Sequence, residues 1–300
     1  MATVLLAVIV ALTLSHAVPA FTTFRQFQWF DAYLSGNVNP FVNANAWSGA
    51  WGAVFSVGIP VFLCGLIQWL VQDWWWGLPE FLFSLVILFL CWGPRDLDQD
   101  VDRLVHGQSR DDRSEALQGL PEEPPAPALA LECQVIVDQV FLAALRRWFG
   151  VLLWFLIAGP AGALLYRLAK RASESAQLRA NVGQAHALGL DRLVSILDWP
   201  AAQLMTFGLA LAADFDAAIN AWREFHIGNG RGWFVPGADF MLAAARASVD
   251  AEDEALRAED ETLERKSTQL SAQEAMALVW RVLILWLAIL ALLVLAGWVS

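Results

Sequence analysis

The sequence predicts an all-α, polytopic membrane helix bundle with amphipathic and cytoplasmic helices attached, and three observations carry that reading. Of 300 residues, 58% are hydrophobic and 16% charged, against about 25% charged in soluble chains. Several runs close to twenty residues long hold no charge, the length that crosses the hydrocarbon of a bilayer. No strand-like alternation of useful length occurs anywhere. A soluble chain of this composition would expose more apolar surface than water tolerates. The net charge of −11 excludes nucleic acid, whose binding needs a basic face, and the lipid bilayer becomes the first expected partner.

The N-terminal membrane region is expected over 1–92. Ala2 to Leu14 is apolar, but no Lys or Arg precedes it as a signal-peptide n-region requires. It reads as an uncleaved helix that spans or dips into the bilayer. Trp51 to Val71 is uncharged, with Pro60 set to kink it. Trp74 to Trp92 follows after only Gln72 and Asp73, so the two runs predict an antiparallel hairpin with Trp74, Trp75 and Trp76 at the interface. Pro79 suits a first helical turn, and Glu80 beside it reads as an interfacial or snorkelling carboxylate. Cys64 and Cys91 fall in apolar runs and, with Cys133, make no metal-ligand or disulfide spacing.

Residues 93–145 form an acidic polar region with eleven carboxylates against four arginines and a Pro-rich linker at 121–127. Arg95 to Asp102 predicts a helix start, since acids favour the positive end of the helix dipole. On that helix Asp98 and Asp102 share one face, and Asp96 and Asp100 another. Asp96, Asp98 and Asp102 are therefore the candidate ligands for Mg²⁺, which takes carboxylate oxygens; capping and solubility explain the same acids.

The segment 146–171 is the most informative. Trp148 to Tyr166 is long enough to cross, yet Gly159-Pro160-Ala161-Gly162 interrupts it, because Pro removes a helical hydrogen bond. Arg146 and Arg147 precede the run, and Arg167, Lys170 and Arg171 follow it. Basic clusters mark the cytoplasmic side, so basic flanks at both ends predict a re-entrant helix pair. One spanning helix with a Pro kink is the alternative.

Residues 172–274 form a polar helical region. Asp191 to Ile196 predicts a helix that stops before Trp199-Pro200, with Ala201 to Ala213 lying on the bilayer or against membrane helices. Gly228, Gly230, Gly232 and Gly237 predict a loop; they follow no strand and fit no phosphate-loop pattern. Val249, Leu256, Leu263 and Leu270 repeat every seven residues, a narrow stripe that predicts a solvated amphipathic helix. The segment 275–300 closes the chain with a transmembrane helix. Val282 to Val299 is uncharged and about 27 Å long by helical rise, with Arg281 placed to snorkel and Trp280 and Trp298 as aromatic anchors. His16, His106, His186 and His226 lack metal-ligand spacing and read as structural. No nucleophile pattern stands out, so no catalytic residue is expected.

The run Arg147-Trp-Phe-Gly-Val-Leu-Leu-Trp-Phe-Leu-Ile-Ala-Gly-Pro-Ala-Gly-Ala-Leu-Leu-Tyr-Arg167 resembles the central signature of the AmpE family, membrane proteins described as regulatory signalling modulators of β-lactamase induction. Ile196-Leu-Asp-Trp-Pro-Ala-Ala-Gln-Leu204, Asp214-Phe-Asp-Ala-Ala-Ile-Asn-Ala-Trp222 and Trp280-Arg-Val-Leu-Ile-Leu-Trp286 match in the family's order, over essentially the whole chain. The AmpE family is similar in turn to CobD/CbiB, the membrane amide synthase of cobalamin-arm assembly, whose F-W-x-x-x-x-G-x-P-G-A-x-x-Y-R pattern is echoed from Leu153 to Arg167. That synthase carries an acidic, Asn-rich motif just upstream, the natural place for Mg²⁺ and a reacting phosphate. Here the equivalent stretch is Val140-Phe-Leu-Ala-Ala-Leu-Arg-Arg147, and the Asn after Tyr-Arg falls at Lys170.

Without those oxygen ligands, metal-assisted chemistry lacks its ion. The resemblance therefore implies a non-enzymatic signalling protein of the bacterial inner membrane, tied to cell-wall stress and the response to antibiotic. A cobalamin-type amide synthase, using Asp96, Asp98 and Asp102, is the alternative. The working surface it implies is the basic neck of Arg146, Arg147, Arg167, Lys170 and Arg171 beside the Gly-Pro break. Such a cluster can hold anionic lipid head groups or a phosphorylated small ligand, or simply set topology. A protein partner in cell-wall recycling signalling is also implied.

Overall fold

The computed structural model describes residue 10 and the stretches 27–34, 51–72, 77–93, 96–107, 109–120, 132–174, 179, 183–228, 232, 234–259 and 268–296. Every regular element among the described residues is helical, and the chain is an all-α helical membrane bundle. Four helical stretches are long and apolar enough to cross a membrane: Gly52–Val71, Cys133–Glu174, Gln184–Ala212 and Gln269–Leu295. Apart from Val10, the N-terminal run lies outside the described residues, as do Trp74 to Trp76, Trp298 and the Pro-rich linker.

The helices divide into two compact units, each drawn from separated stretches of chain. The first holds α1 (Gln28–Leu34), α2 (Gly52–Val71), α3 (Leu78–Cys91), α7 (Gly150–Glu174) and residues 184–197 of α8 (Gln184–Ala212). Helices α2 and α3 pack on each other and on α7. The inner face of α2 uses small or slim residues, Gly52, Ala53, Ser56, Val57, Pro60 and Cys64. Its outer face shows Trp51, Phe55, Phe62 and Trp69, as a lipid-facing surface should, because hydrocarbon tolerates apolar side chains and not open backbone. Glu80 sits in the first turn of α3 behind Pro79, where the dipole favours an acid. His186 is buried, its Nε2 3.2 Å from Ser56 Oγ.

The second unit holds α4 (Leu97–His106), α5 (Arg110–Gln118), α6 (Cys133–Ala144), a π-helical turn (Leu145–Phe149), residues 198–212 of α8, α9 (Phe215–Gly228), α10 (Asp239–Glu259) and α11 (Thr268–Leu295). Helix α11 packs against α6 and α4, and α10 against α6 and α9. Arg246 of α10 makes a bidentate bond to Asp138 of α6. The expected helix start is present: Asp96 caps α4, its Oδ1 accepting from Asp98 N at 3.2 Å.

Three sequence expectations change here. Helix α8 runs through Trp199-Pro200 without stopping, since the one hydrogen bond a Pro removes is tolerable where neighbours bury the turn. It is also apolar enough to cross a membrane, within a stretch that reads as polar on composition. The heptad positions do not belong to one helix. Val249 is buried in α10, whereas Leu270 lies exposed near the start of α11. Trp280 is no simple interfacial anchor, because its indole packs 5.2 Å from Trp148 and donates to Asp98 Oδ1 at 2.9 Å.

Helix α5 begins with a reciprocal cap: Asp112 N donates to Ser109 Oγ and Ser109 N to Asp112 Oδ2, both at 3.0 Å. The bonds from the Ser109 side chain and backbone hold the Asp112 carboxyl below its usual range. A depressed carboxylate stabilises the fold above its unfolded pKa, and that contribution is lost as pH falls through the folded one. Protection of the Ser109 and Asp112 amides, taken relative to the intrinsic exchange rate at each pH, should therefore fall on acidification, and already at neutral pH in Ser109→Ala, which removes the cap. Unchanged exchange in that variant would remove the cap from the account.

Candidate functional site

The Gly-Pro segment folds back on itself. At about 1.5 Å rise per residue, Gly150 and Tyr166 in a straight helix would lie about 24 Å apart. Instead a Cβ built on Gly150 would meet the Tyr166 ring at 2.2 Å, and one on Gly162 would meet the Trp154 carbonyl oxygen at 2.0 Å. The arms before and after Gly159 are therefore antiparallel, and the flanks of α7 return to one end. Of the two arrangements the sequence left open, this is the folded-back pair. The reversal sits at Gly159, with φ 64° and ψ −151°, a region essentially reserved for glycine. Pro160 then opens the second arm, a position where its missing N–H costs nothing.

The tip is sutured by a residue the sequence reading passed over. Gln68 of α2 accepts at Oε1 from Ala161 N, at 3.2 Å, which satisfies a donor freed by the break. The same amide would be 2.6 Å from a Gly159 Cβ, so the close approach requires glycine. The one signal available was a lone carboxamide in an otherwise apolar run. Trp154 on the first arm donates its indole N–H to Leu197 O at 3.0 Å.

The second arm carries three of the predicted basic residues. Arg167 and Lys170 are both 2% exposed. Lys170 Nζ lies 3.8 Å from Glu174. Arg171 makes a two-point contact with Asp31 of α1, Nη2 to Oδ2 at 2.8 Å and Nε to Oδ1 at 3.2 Å. Asp31 was not singled out from sequence, because a carboxylate in a short stretch gives no sign of its distant partner; Glu174, one turn from Lys170 on the same helix, carried the signal of its four-residue spacing.

The other two lie in the second unit, on the π-helical turn. Arg146 is partly buried. Arg147 is 1% exposed and turned inward. Its Nη1 donates to Asp100 Oδ2 at 2.8 Å, and its Nη2 to Leu120 O at 2.7 Å. It therefore clasps α4 to the end of α5. The candidate metal acids are dispersed in role: Asp96 caps α4, Asp98 receives Trp280, and Asp102 pairs at the surface with His106 at 2.9 Å. Among the described residues no three His, Cys, Asp or Glu side chains are placed to hold a metal ion together. A cleft of about 480 Å³ opens between α4 and α5, lined by Asp100, Asp102, Arg103, His106, Asp112 and Glu115.

The chemistry on offer is thus electrostatic: the second arm of the broken hairpin carries two buried cations, Arg167 and Lys170, and beside them Arg171 paired with Asp31. Residues 50–227, more than half of the chain, match the family model described as regulatory signalling modulator protein AmpE. No curated protein and no solved structure matches the chain.

Proposed function

The chain belongs to the AmpE family of regulatory signalling modulator proteins, and from that premise we propose that it modulates β-lactamase induction and the cell-wall stress response from the bacterial inner membrane. In this reading it carries no catalytic site. Its working surface is the part of the basic neck on the second arm, Arg167, Lys170 and Arg171, which takes an anionic head group or a phosphorylated small ligand, and it passes the state of that surface to a protein partner. The supporting observation is the concentration of Arg167, Lys170 and Arg171 within five residues of one arm, the first two almost wholly buried. Cations held in a low-dielectric setting attract an oxyanion far more strongly than cations in water.

Two measurements test the reading at its two levels. In cells deleted for this chain, β-lactam-triggered β-lactamase activity should change and be restored by the intact protein; an unaltered induction curve would refute the signalling role. For the neck, Arg167→Gln with Lys170→Gln should lower retention of anionic lipid in native mass spectra about tenfold relative to the parent, with circular dichroism confirming that both fold. Arg147 and Arg171 are left intact there because they are committed to Asp100 and Asp31. Equal retention by parent and variant would remove the anion from the proposal.

A further inference from the structure

Helices α8 and α9 carry a second polar cluster, in the second unit, that the basic neck does not use. Trp199, Gln203 and Phe207 follow one another at four-residue steps and share one face of α8, as Trp222 and His226 do on α9. Trp222 Nε1 donates to Gln203 Oε1 at 3.2 Å. An indole N–H can only donate, so the oxygen of Gln203 must face it and the NH₂ must face away. That NH₂ belongs to a side chain 5% exposed and has no acceptor among the described residues.

His226 is fixed by the same logic. Its Nδ1 lies 2.7 Å from the Trp222 carbonyl oxygen, which only accepts, so the neutral ring carries its proton there and leaves a lone pair on Nε2. The ring is 8% exposed, its centre 4.3 Å from that of Trp222 and 5.5 Å from that of Phe240 with the planes tilted, and its Nε2 has no partner among the described residues. Trp199, packed 5.1 Å from Phe234, adds a third buried atom, its Nε1–H, that has no partner among the described residues.

Two donors and one acceptor beside these aromatic rings match in kind the hydrogen-bonding needs of a hydroxyl group. We propose that this cage is a binding site for a neutral hydroxylated ring, a sugar or cyclic polyol, which sets its apolar face on the indoles and presents one hydroxyl to the three nitrogens. Apolar walls with a few oriented polar atoms are the usual make-up of a small-molecule site. The cage residues are uncharged in this tautomer, and Asp198, buried beside Trp199 in sequence, disfavours an anion. The site is independent of the neck reading.

The full chain in detergent, with its four histidines labelled by ¹⁵N, reads the site directly. Titration with glucose, N-acetylglucosamine and inositol should shift the His226 Nε2 resonance saturably for at least one of them, with the proton still on Nδ1. Trp199→Phe, which keeps a ring and deletes only the N–H, should weaken that binding about tenfold, as loss of one buried hydrogen bond allows. His226→Phe, which lacks that resonance and is followed with the parent by tryptophan fluorescence in the same titration, should abolish it; a matched melting temperature identifies these as losses of binding rather than of fold. The proposal is overturned if inorganic phosphate moves the resonance and the polyols do not, if no probe moves it and only a bound water signal reaches Nε2, or if Trp199→Phe binds as the parent does.

Discussion

Arg147→Met should destabilise the second unit by about 3–5 kcal/mol, the cost of removing one partner from a buried ion pair. Asp100 is 3% exposed and Arg147 1%, so neither can recover solvation in place of the lost contact. The variant also strips the Leu120 carbonyl of its donor, and Arg103, at 3.7 Å from Asp100, offers only a distant substitute. The double variant Arg147→Met with Asp100→Leu should recover most of the loss, because an apolar pair leaves no buried charge uncompensated. Asp102→Asn, by contrast, should lie within about 1 kcal/mol of the parent, since its pair with His106 is exposed on both sides. Denaturant or thermal melts of the three variants in detergent decide the matter. A single variant as stable as the double would mean that the guanidinium contributes nothing at this position.

That contrast explains how far the basic neck could be read in advance. Five cations flanking an apolar run look in sequence like one surface, because charge and spacing are local properties. Their partners are not local: Arg147 is set by Asp100 and Arg171 by Asp31, each far along the chain. The π-turn at Leu145–Phe149 changes the angular register there, and nothing in its composition signals it. Helix existence was legible where physics is cumulative, in the uncharged runs that became α2 and α11 and in the Asp96 cap of α4. It failed where one residue was asked to decide, as at Pro200, which α8 passes through. Glycine spacing carried more than the sequence reading took from it. Gly150 and Gly162 lie symmetrically with Tyr166 and Trp154 about the reversal, and that symmetry is what a fold-back needs.

The second large effect belongs to those glycines. Gly162→Ala should cost more than the roughly 1–3 kcal/mol usual for overpacking, because its Cβ would stand 2.0 Å from the Trp154 carbonyl oxygen. Backbone cannot rotate aside as a side chain can, so the arms of α7 must separate. Gly150→Ala meets the Tyr166 ring at 2.2 Å instead, a movable neighbour, and Tyr166→Ala should rescue it in a double variant while failing to rescue Gly162→Ala. Gly58→Ala meets nothing within 4 Å and should be neutral or stabilising by about 0.5–1 kcal/mol, the ordinary gain of alanine over glycine inside a helix. The order of melting temperatures is therefore fixed by geometry alone: Gly58→Ala highest, Gly150→Ala with Tyr166→Ala above Gly150→Ala, and Gly162→Ala lowest. Parent-like stability of Gly162→Ala would show that the arms do not touch, and the folded-back membrane segment would have to be replaced by a straight, merely kinked one.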